Sequence, residues 1–221
     1  MKIKLVSFII ALAALNINVA SADSIKGSAG AKFSSEYHRR GAVVSQDAVQ
    51  AQLGANTNVG GLNVFGDFFT SQGVDSGATN SNEVTVGAGG SLFGDKLSAY
   101  IGIYNTDTSA SDDVLEGFVS LSIAAPLSPT VKAYRGISNN LNTFEGQLSH
   151  SLDLEVVDLG LAVILGNTET SNTANSTYSG AILSASRDVS QNLNIYADLS
   201  LSDTNSRDCE TFWGAGVRVK F

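Results

Sequence analysis

The feature that most constrains the fold is an alternation of apolar with polar or small residues that recurs along the chain. In segment 49–55 the apolar positions are Val49, Ala51, Leu53 and Ala55, and segments 97–103 and 193–201 repeat the pattern. A period of two puts successive side chains on opposite faces of a β-strand, whereas a helix needs a period of about 3.6 residues, which is hard to find here. The sequence therefore predicts an all-β protein.

Twelve segments fit this strand template. Residues that favour turns separate them, and Pro, which interrupts strand pairing, occurs at only 2 positions. The predicted strands are 29–40, 47–57, 61–70, 83–92, 96–105, 113–124, 129–138, 142–152, 155–166, 177–186, 191–201 and 211–221.

The first 22 residues have a different character. Two lysines precede an apolar stretch at 5–15, and the small residues of "ASA" follow at 20–22. This order is typical of a cleaved signal peptide. The alternative, a membrane anchor, is disfavoured because the apolar stretch is too short to cross about 30 Å of hydrocarbon as a helix. We predict a signal peptide at 1–22 and one β-domain at 23–221.

Composition excludes several classes of function. The net charge of −8 disfavours nucleic acid as a partner, because phosphate binding needs a basic surface. Cys209 is the single cysteine, so the chain has no intramolecular disulfide framework. With 2 histidines and 1 cysteine, the chain has too few of these residues for a four-ligand His/Cys metal cluster. No metal site and no cofactor are predicted.

The connections between predicted strands alternate in length. The odd ones, such as "SQGVDSGATNSN" and "GNTETSNTANST", are mostly long and polar, and the even ones, such as "NVG" and "DLE", are short to modest. A secreted β-sandwich has no reason to sort its loops this way. A bacterial outer-membrane barrel does, because an even strand count sends every odd connection outside the cell. We predict a transmembrane antiparallel up-and-down β-barrel of about twelve strands in the bacterial outer membrane.

Aromatic residues on the predicted lipid face support two interfacial girdles. Tyr37, Phe68, Phe144 and Trp213 fall near the outer ends of their strands, and Phe33 and Phe221 near the periplasmic ends.

The chain ends on an alternating strand whose last residue is Phe. Val217, Val219 and Phe221 fall on the outward face, and Arg218 and Lys220 on the inward face. This ending resembles the C-terminal assembly signal of outer-membrane barrels. The resemblance implies that the barrel-assembly machinery recognises this end of the strand.

A second resemblance lies in the first strand. "SEYHRRG", Ser35 to Gly41, keeps a Ser-x-Tyr-x-x-Arg-Gly spacing that is similar to that of the TorF-type porin family, and "VQAQLGAN" follows it as a strand. The resemblance implies an exported barrel of about this size that acts as a porin. Arg39 stands where an aromatic residue is expected in that family.

The face opposite the apolar one carries charged and amide side chains, which we predict to line the lumen. A lumen with both signs of charge would be wet and would favour small polar solutes. The alternative is that these groups pair across the lumen and brace the wall, because buried charges need partners. The candidates are Lys32, Glu36, His38, Arg40, Gln50, Gln52, Asp67, Glu116, Glu145, Gln147, Asp198, Arg218 and Lys220.

Three classes of function follow for such a barrel. A porin-like passive channel is favoured; the alternatives are a structural or surface-interaction barrel with no open pore, and an outer-membrane hydrolase. No catalytic residue is predicted, because nothing puts an activated Ser beside His38 or His150. Expected partners are outer-membrane lipid, lipopolysaccharide and the assembly machinery, with a homo-oligomer left open.

Overall fold

The protein is a barrel of twelve antiparallel strands. The computed structural model describes residues 25–74, 79–109, 111–138, 140–170 and 173–221, so the predicted signal peptide lies outside the described residues. The strands are β1 (Lys26–Arg39), β2 (Ala42–Val59), β3 (Leu62–Gly73), β4 (Ser81–Leu92), β5 (Leu97–Thr108), β6 (Ser111–Ile123), β7 (Thr130–Gly136), β8 (Asn142–Asp153), β9 (Asp158–Thr170), β10 (Thr173–Asp188), β11 (Leu193–Thr204) and β12 (Arg207–Lys220).

Each strand pairs with its neighbours in sequence, and β1 pairs with β12 to close the barrel. The closing seam runs from Ser28 opposite Lys220 to Ser34 opposite Gly214. Phe221 extends this seam, because its N–H donates to the Gly27 carbonyl (2.9 Å) and its carbonyl accepts from the Gly27 N–H (2.7 Å). The predicted all-β up-and-down barrel of twelve strands is confirmed. Over the described residues, no helix is both long and apolar enough to span a membrane.

The barrel is apolar outside and polar inside, the reverse of a soluble protein. The apolar residues of the alternating segments face outward, and Leu53, Ile101 and Leu199 are all exposed. Among the described residues the largest fully buried side chain is a carboxylate, Glu116, at 2% exposure, and it shares the interior with buried Ser and Thr residues. An apolar outer belt around a polar lumen is the arrangement that lipid on one side and water on the other require.

The strands reach further than the sequence predicted, chiefly at the outer end. β2 begins at Ala42, five residues before the predicted start at 47, and β1 connects to it through Arg40 and Gly41 alone. The "SDTNSRDCE" connection is likewise almost all strand, with a turn at 205–206. Only two residues lie between β5 and β6 and between β9 and β10 as well, so the predicted long loops were wrong at these four connections. Their polar composition reflects exposure to water, and water does not prevent strands from pairing.

The girdle prediction also needs a correction at Phe33. Trp213 and Phe144 face outward as predicted, with 51% and 54% exposure. Phe33, predicted near the periplasmic end, instead packs beside Trp213 with their ring centroids 5.7 Å apart. The part of β1 that pairs with β12 runs only from Ser28 to Ser34, so Phe33 lies near its outer end.

The top of the β1–β2 hairpin leaves the barrel wall. Pairing of β1 with β12 stops at Ser34, and pairing of β2 with β3 stops at Ala48, yet β1 and β2 stay paired with each other up to Arg39 opposite Ala42. Asp47, where β2 rejoins the wall, has a left-handed backbone (φ 44°). We call residues 36–46 the inserted hairpin, because their side chains contact the lumen face of the barrel, as described next.

Candidate functional site

The tip of the inserted hairpin reaches across the lumen. The Arg40 Nη1 donates to Glu116 Oε1 of β6 at 2.8 Å, and its guanidinium carbon lies 3.9 Å from the centroid of the Tyr134 ring on β7. In strand order β6 and β7 lie opposite β1, so this contact spans the barrel. A buried ion pair backed by a cation–π contact holds the tip against the far wall.

A glycine lets the tip come close to a third part of the wall. Gly41 has φ +78°, and a Cβ there would lie 2.6 Å from Cβ of Tyr178 and 2.8 Å from Cγ2 of Thr204. Both the left-handed backbone and the lack of space favour glycine at this position.

One face of the inserted hairpin docks on β3 and β4. The Tyr37 hydroxyl donates to the Glu83 carboxylate, the Tyr37 ring lies 4.9 Å from that of Phe69, and the Ser45 and Ser71 hydroxyls are 2.8 Å apart. The prediction that Tyr37 faces lipid was therefore wrong. Alternation assigns faces relative to a wall, and beyond Ser34 this strand is no longer part of the wall.

The other face of the hairpin docks on β12. The His38 ring stacks on Phe212, with centroids 4.1 Å apart and planes within 7° of parallel. The His38 Nε2 lies 2.6 Å from Oε2 of Glu36 and 4.0 Å from Oε2 of Glu210. Glu36, His38 and Arg40, predicted to line the lumen from the wall, thus lie on the inserted hairpin instead.

Charged residues of the wall form pairs inside the barrel. Lys32 Nζ lies 2.7 Å from Asp198 Oδ1, across the glycine-lined inner face of β12. Lys132 Nζ lies 3.4 Å from Glu145 Oε1, and Glu145 also accepts from the Tyr178 hydroxyl at 2.9 Å. The predicted alternative of mutual bracing therefore applies to these groups.

Open space remains in the barrel, both beside the hairpin and among residues of the wall. The larger space, about 430 Å³, lies between the hairpin and the β3–β8 wall, and Arg39, Tyr104 and Lys132 are among its lining residues. Nη1 of Arg39 is buried and has no hydrogen-bond partner. The smaller space, about 210 Å³, is lined by Lys32, Gln50, Gln52 and Arg218 among others.

The remaining predicted residues differ in position. Asp67 points across the inner face towards Gly54, where a Cβ would lie 2.5 Å from its Oδ1. Gln147 lies two positions from Glu145 on the same face of β8. Lys220 lies at the periplasmic rim, 56% exposed and 3.9 Å from an Asp188 oxygen.

Sequence reasoning missed several lumen residues that the structure brings together. The alternation along their own strands places these residues on the inward face, so counting alternate positions could have found them. They are Glu83, Tyr104, Lys132 and Tyr134. Arg39 had no such signal, because its contacts depend on the bend of the hairpin into the lumen.

No family model and no curated protein matches the chain. Solved structures do resemble it. The KdgM porin is 15% identical with a TM-score of 0.58, covering 88% of this chain and 99% of its own. The NanC porin is 14% identical with a TM-score of 0.53, covering 90% and 100%. An outer-membrane channel from Pseudomonas putida F1 is 11% identical with a TM-score of 0.58, covering 93% and 98%.

The chain has the fold of the bacterial outer-membrane porins. The similarity extends over nearly the whole length of each of these three porins and channels. The apolar belt and polar interior of this porin-fold barrel are the features that such a fold needs in an outer membrane.

Proposed function

We propose that this protein is a porin-like passive channel of the bacterial outer membrane for small polar solutes, narrowed by the inserted hairpin. The observation that carries the proposal is that the hairpin does not fill the lumen, since a space of about 430 Å³ remains beside it and another of about 210 Å³ among wall residues. Both contain charged or amide side chains, so water and polar solutes can occupy them. In an eight-stranded barrel, side chains fill the interior. A barrel of twelve strands is wider and encloses more room.

Single-channel conductance of the refolded domain, residues 23–221, in a planar lipid bilayer tests this proposal. Stable ohmic steps are expected once a heat-modifiability gel shows that the barrel has closed. A closed barrel that carries no current would overturn the channel proposal and would favour a structural or surface-interaction barrel with no open pore.

The lumen should prefer anions weakly. Lys32, Arg40 and Lys132 each have a carboxylate partner, which cancels most of their field. Arg39 has a buried Nη1 without a hydrogen-bond partner at the larger space. A guanidinium group with an unbonded N–H in a narrow passage attracts anions, because the low-dielectric wall focuses its field.

Arg39→Gln tests that preference. The chloride-to-potassium permeability ratio, measured from the reversal potential in a KCl gradient, should fall by about twofold or more. Arg135→Gln is the matched control, because Arg135 lies on β7 with an exposed side chain bonded to Asn142. An equal change in both variants, or none in Arg39→Gln, would contradict this assignment.

The protein is proposed to have no hydrolase activity. The His38 Nε2 faces Glu36 and Glu210, and His150 Nδ1 donates to the Pro126 carbonyl at 2.6 Å. In the described part of the chain neither imidazole is hydrogen-bonded to a Ser hydroxyl, which nucleophilic catalysis would need.

Membership of the TorF-type porins is part of this proposal, and the contacts of the motif residues support it. The Ser35 hydroxyl accepts from the Trp213 N–H (3.0 Å), Tyr37 bonds to Glu83, Arg40 pairs with Glu116, and Gly41 packs on Tyr178. The residues of the Ser-x-Tyr-x-x-Arg-Gly spacing are those that dock the inserted hairpin. A motif with this role would mark barrels that share such a hairpin.

Recognition of the C-terminus by the barrel-assembly machinery is a separate proposal. Deleting Phe221 removes the two backbone bonds to Gly27 and the exposed terminal ring. The level of folded barrel in the outer membrane of cells should fall severalfold, while refolding from urea into detergent should change little. A similar loss in both experiments would mean that Phe221 acts through barrel stability and not through recognition.

A further inference from the structure

A histidine and two carboxylates converge at the outer side of the lumen. Glu36 Oε2, His38 Nε2 and Glu210 Oε2 come from the inserted hairpin and from β12, and one ligand atom from each residue lies within 4.8 Å of the others. Both carboxylates approach the same imidazole nitrogen, at 2.6 Å and 4.0 Å. A single N–H can donate fully to only one of them, so a doubly charged cation would satisfy the group better than one proton does.

The donor set suits a transition metal. One imidazole nitrogen and two carboxylate oxygens, with water completing the shell, match the ligands of Zn²⁺, whereas Ca²⁺ and Mg²⁺ prefer oxygen alone. Bonds of about 2.0–2.2 Å in a tetrahedron separate the ligand atoms by about 3.3–3.6 Å. The observed distances of 2.6 Å and 4.0 Å lie on either side of this value, so small side-chain movements would admit the ion.

The surroundings hold the imidazole in place and leave an entry path. Phe212 stacks on the ring, and His38 Nδ1 is buried without a hydrogen-bond partner, so Nε2 is the nitrogen that contacts other groups. The Glu210 side chain is 35% exposed and opens the site to water. Arg207, the cation that competes for Glu210 at 3.3 Å, is itself 45% exposed and can turn away.

We propose that Glu36, His38 and Glu210 bind a divalent transition-metal ion of the Zn²⁺ class, which ties the inserted hairpin to β12. This site was not expected from the sequence, because Glu210 lies far along the chain from the other two ligands. The ion would add a fixed link between the hairpin and the wall on the side opposite the Tyr37 contacts.

Titration calorimetry with ZnCl₂ on the refolded domain, in detergent free of lipopolysaccharide, tests the proposal. The parent carries Cys209→Ser, because the exposed thiol at that position could bind zinc on its own. One zinc ion per barrel should bind, and His38→Gln should weaken the affinity by about tenfold or more, at least the loss seen when outer-sphere partners are removed. The matched control is His150→Gln, which removes the other histidine, exposed at the periplasmic end, and should bind zinc like the parent.

Glu210→Gln provides a second variant that retains the fold, because Glu210 is partly exposed and Gln keeps its shape. Zinc should raise the unfolding temperature of the parent, by mass action on the folded state, and should raise that of Glu210→Gln much less. Zinc affinity that is unchanged in both His38→Gln and Glu210→Gln would overturn the site and leave a plain hydrogen-bonded His38–Glu36 pair. Neither measurement depends on current through the barrel, so this result is independent of the channel proposal.

Discussion

Replacing residues 36–46 with an Asn-Gly turn should raise the single-channel conductance of the refolded barrel by about twofold or more, because nothing would then cross the lumen. The wall stays intact in this variant, since β1 pairs with β12 only as far as Ser34 and β2 pairs with β3 only as far as Ala48. Asn-Gly between Ser35 and Asp47 gives the two-residue connection that a hairpin favours. Conductance steps in a planar bilayer measure the effect.

The control for this deletion alters another outer turn. Asn205 and Ser206 connect β11 to β12, and Ser206→Gly makes this turn Asn-Gly without shortening anything inside the barrel. That variant should conduct like the parent. Equal conductance in the parent and in the hairpin deletion would show that the hairpin does not limit the current, and the channel proposal would lose its narrow element.

The second large effect is expected from Glu116→Leu. Glu116 is 2% exposed, and its carboxylate pairs with Arg40, whose guanidinium carbon lies 3.9 Å from the Tyr134 ring centroid and 5.6 Å from that of Tyr104. Removing the carboxylate leaves that cation without its partner, which costs about 3–5 kcal/mol when such a pair is buried. The free energy of unfolding, measured by urea titration in lipid vesicles, should fall by about this amount.

A double variant separates the ion pair from simple loss of packing. Arg40→Leu with Glu116→Leu removes both charges and should recover most of the lost free energy, because no unpaired cation remains. Glu169→Leu is the surface control, since Glu169 is exposed on β9, and it should change the free energy of unfolding by only about 0.5 kcal/mol. If the double variant is as unstable as Glu116→Leu, the pair is not the source of the effect.

Much of the wall follows from the sequence, since period-two alternation has a direct physical cause. Leu53 and Ile101 face outward and Lys32 and Asp198 face inward, as the alternation predicted, because each strand of the wall separates lipid from the lumen. The strand ends were less predictable. Polar residues at the outer ends of β2 and β12 indicate that these segments contact water. Loops and protruding strands both contact water, so polar composition does not distinguish them.

The interior arrangement does not follow from alternation. Parity gives the face of Arg40 and of Glu116 but not their pairing, which joins positions 76 residues apart. The pattern through "SEYHRR" continues without interruption where the strand leaves the wall, so Tyr37 reads as lipid-facing. The bend depends on contacts with strands far along the chain, and a local pattern contains no information about them.

The inserted hairpin also constrains the order in which the barrel folds. Its own two strands pair locally and can form as soon as residues 26–59 are available. Its docking partners Glu83, Glu116, Tyr178 and Phe212 belong to β4, β6, β10 and β12, and the last of these strands is the final one made. Contacts at such long sequence separation form late, because closing long loops costs entropy before the contacts stabilise them. The hairpin therefore cannot complete its docking until β12 has been made, and we expect its contact with Phe212 to be among the last to form.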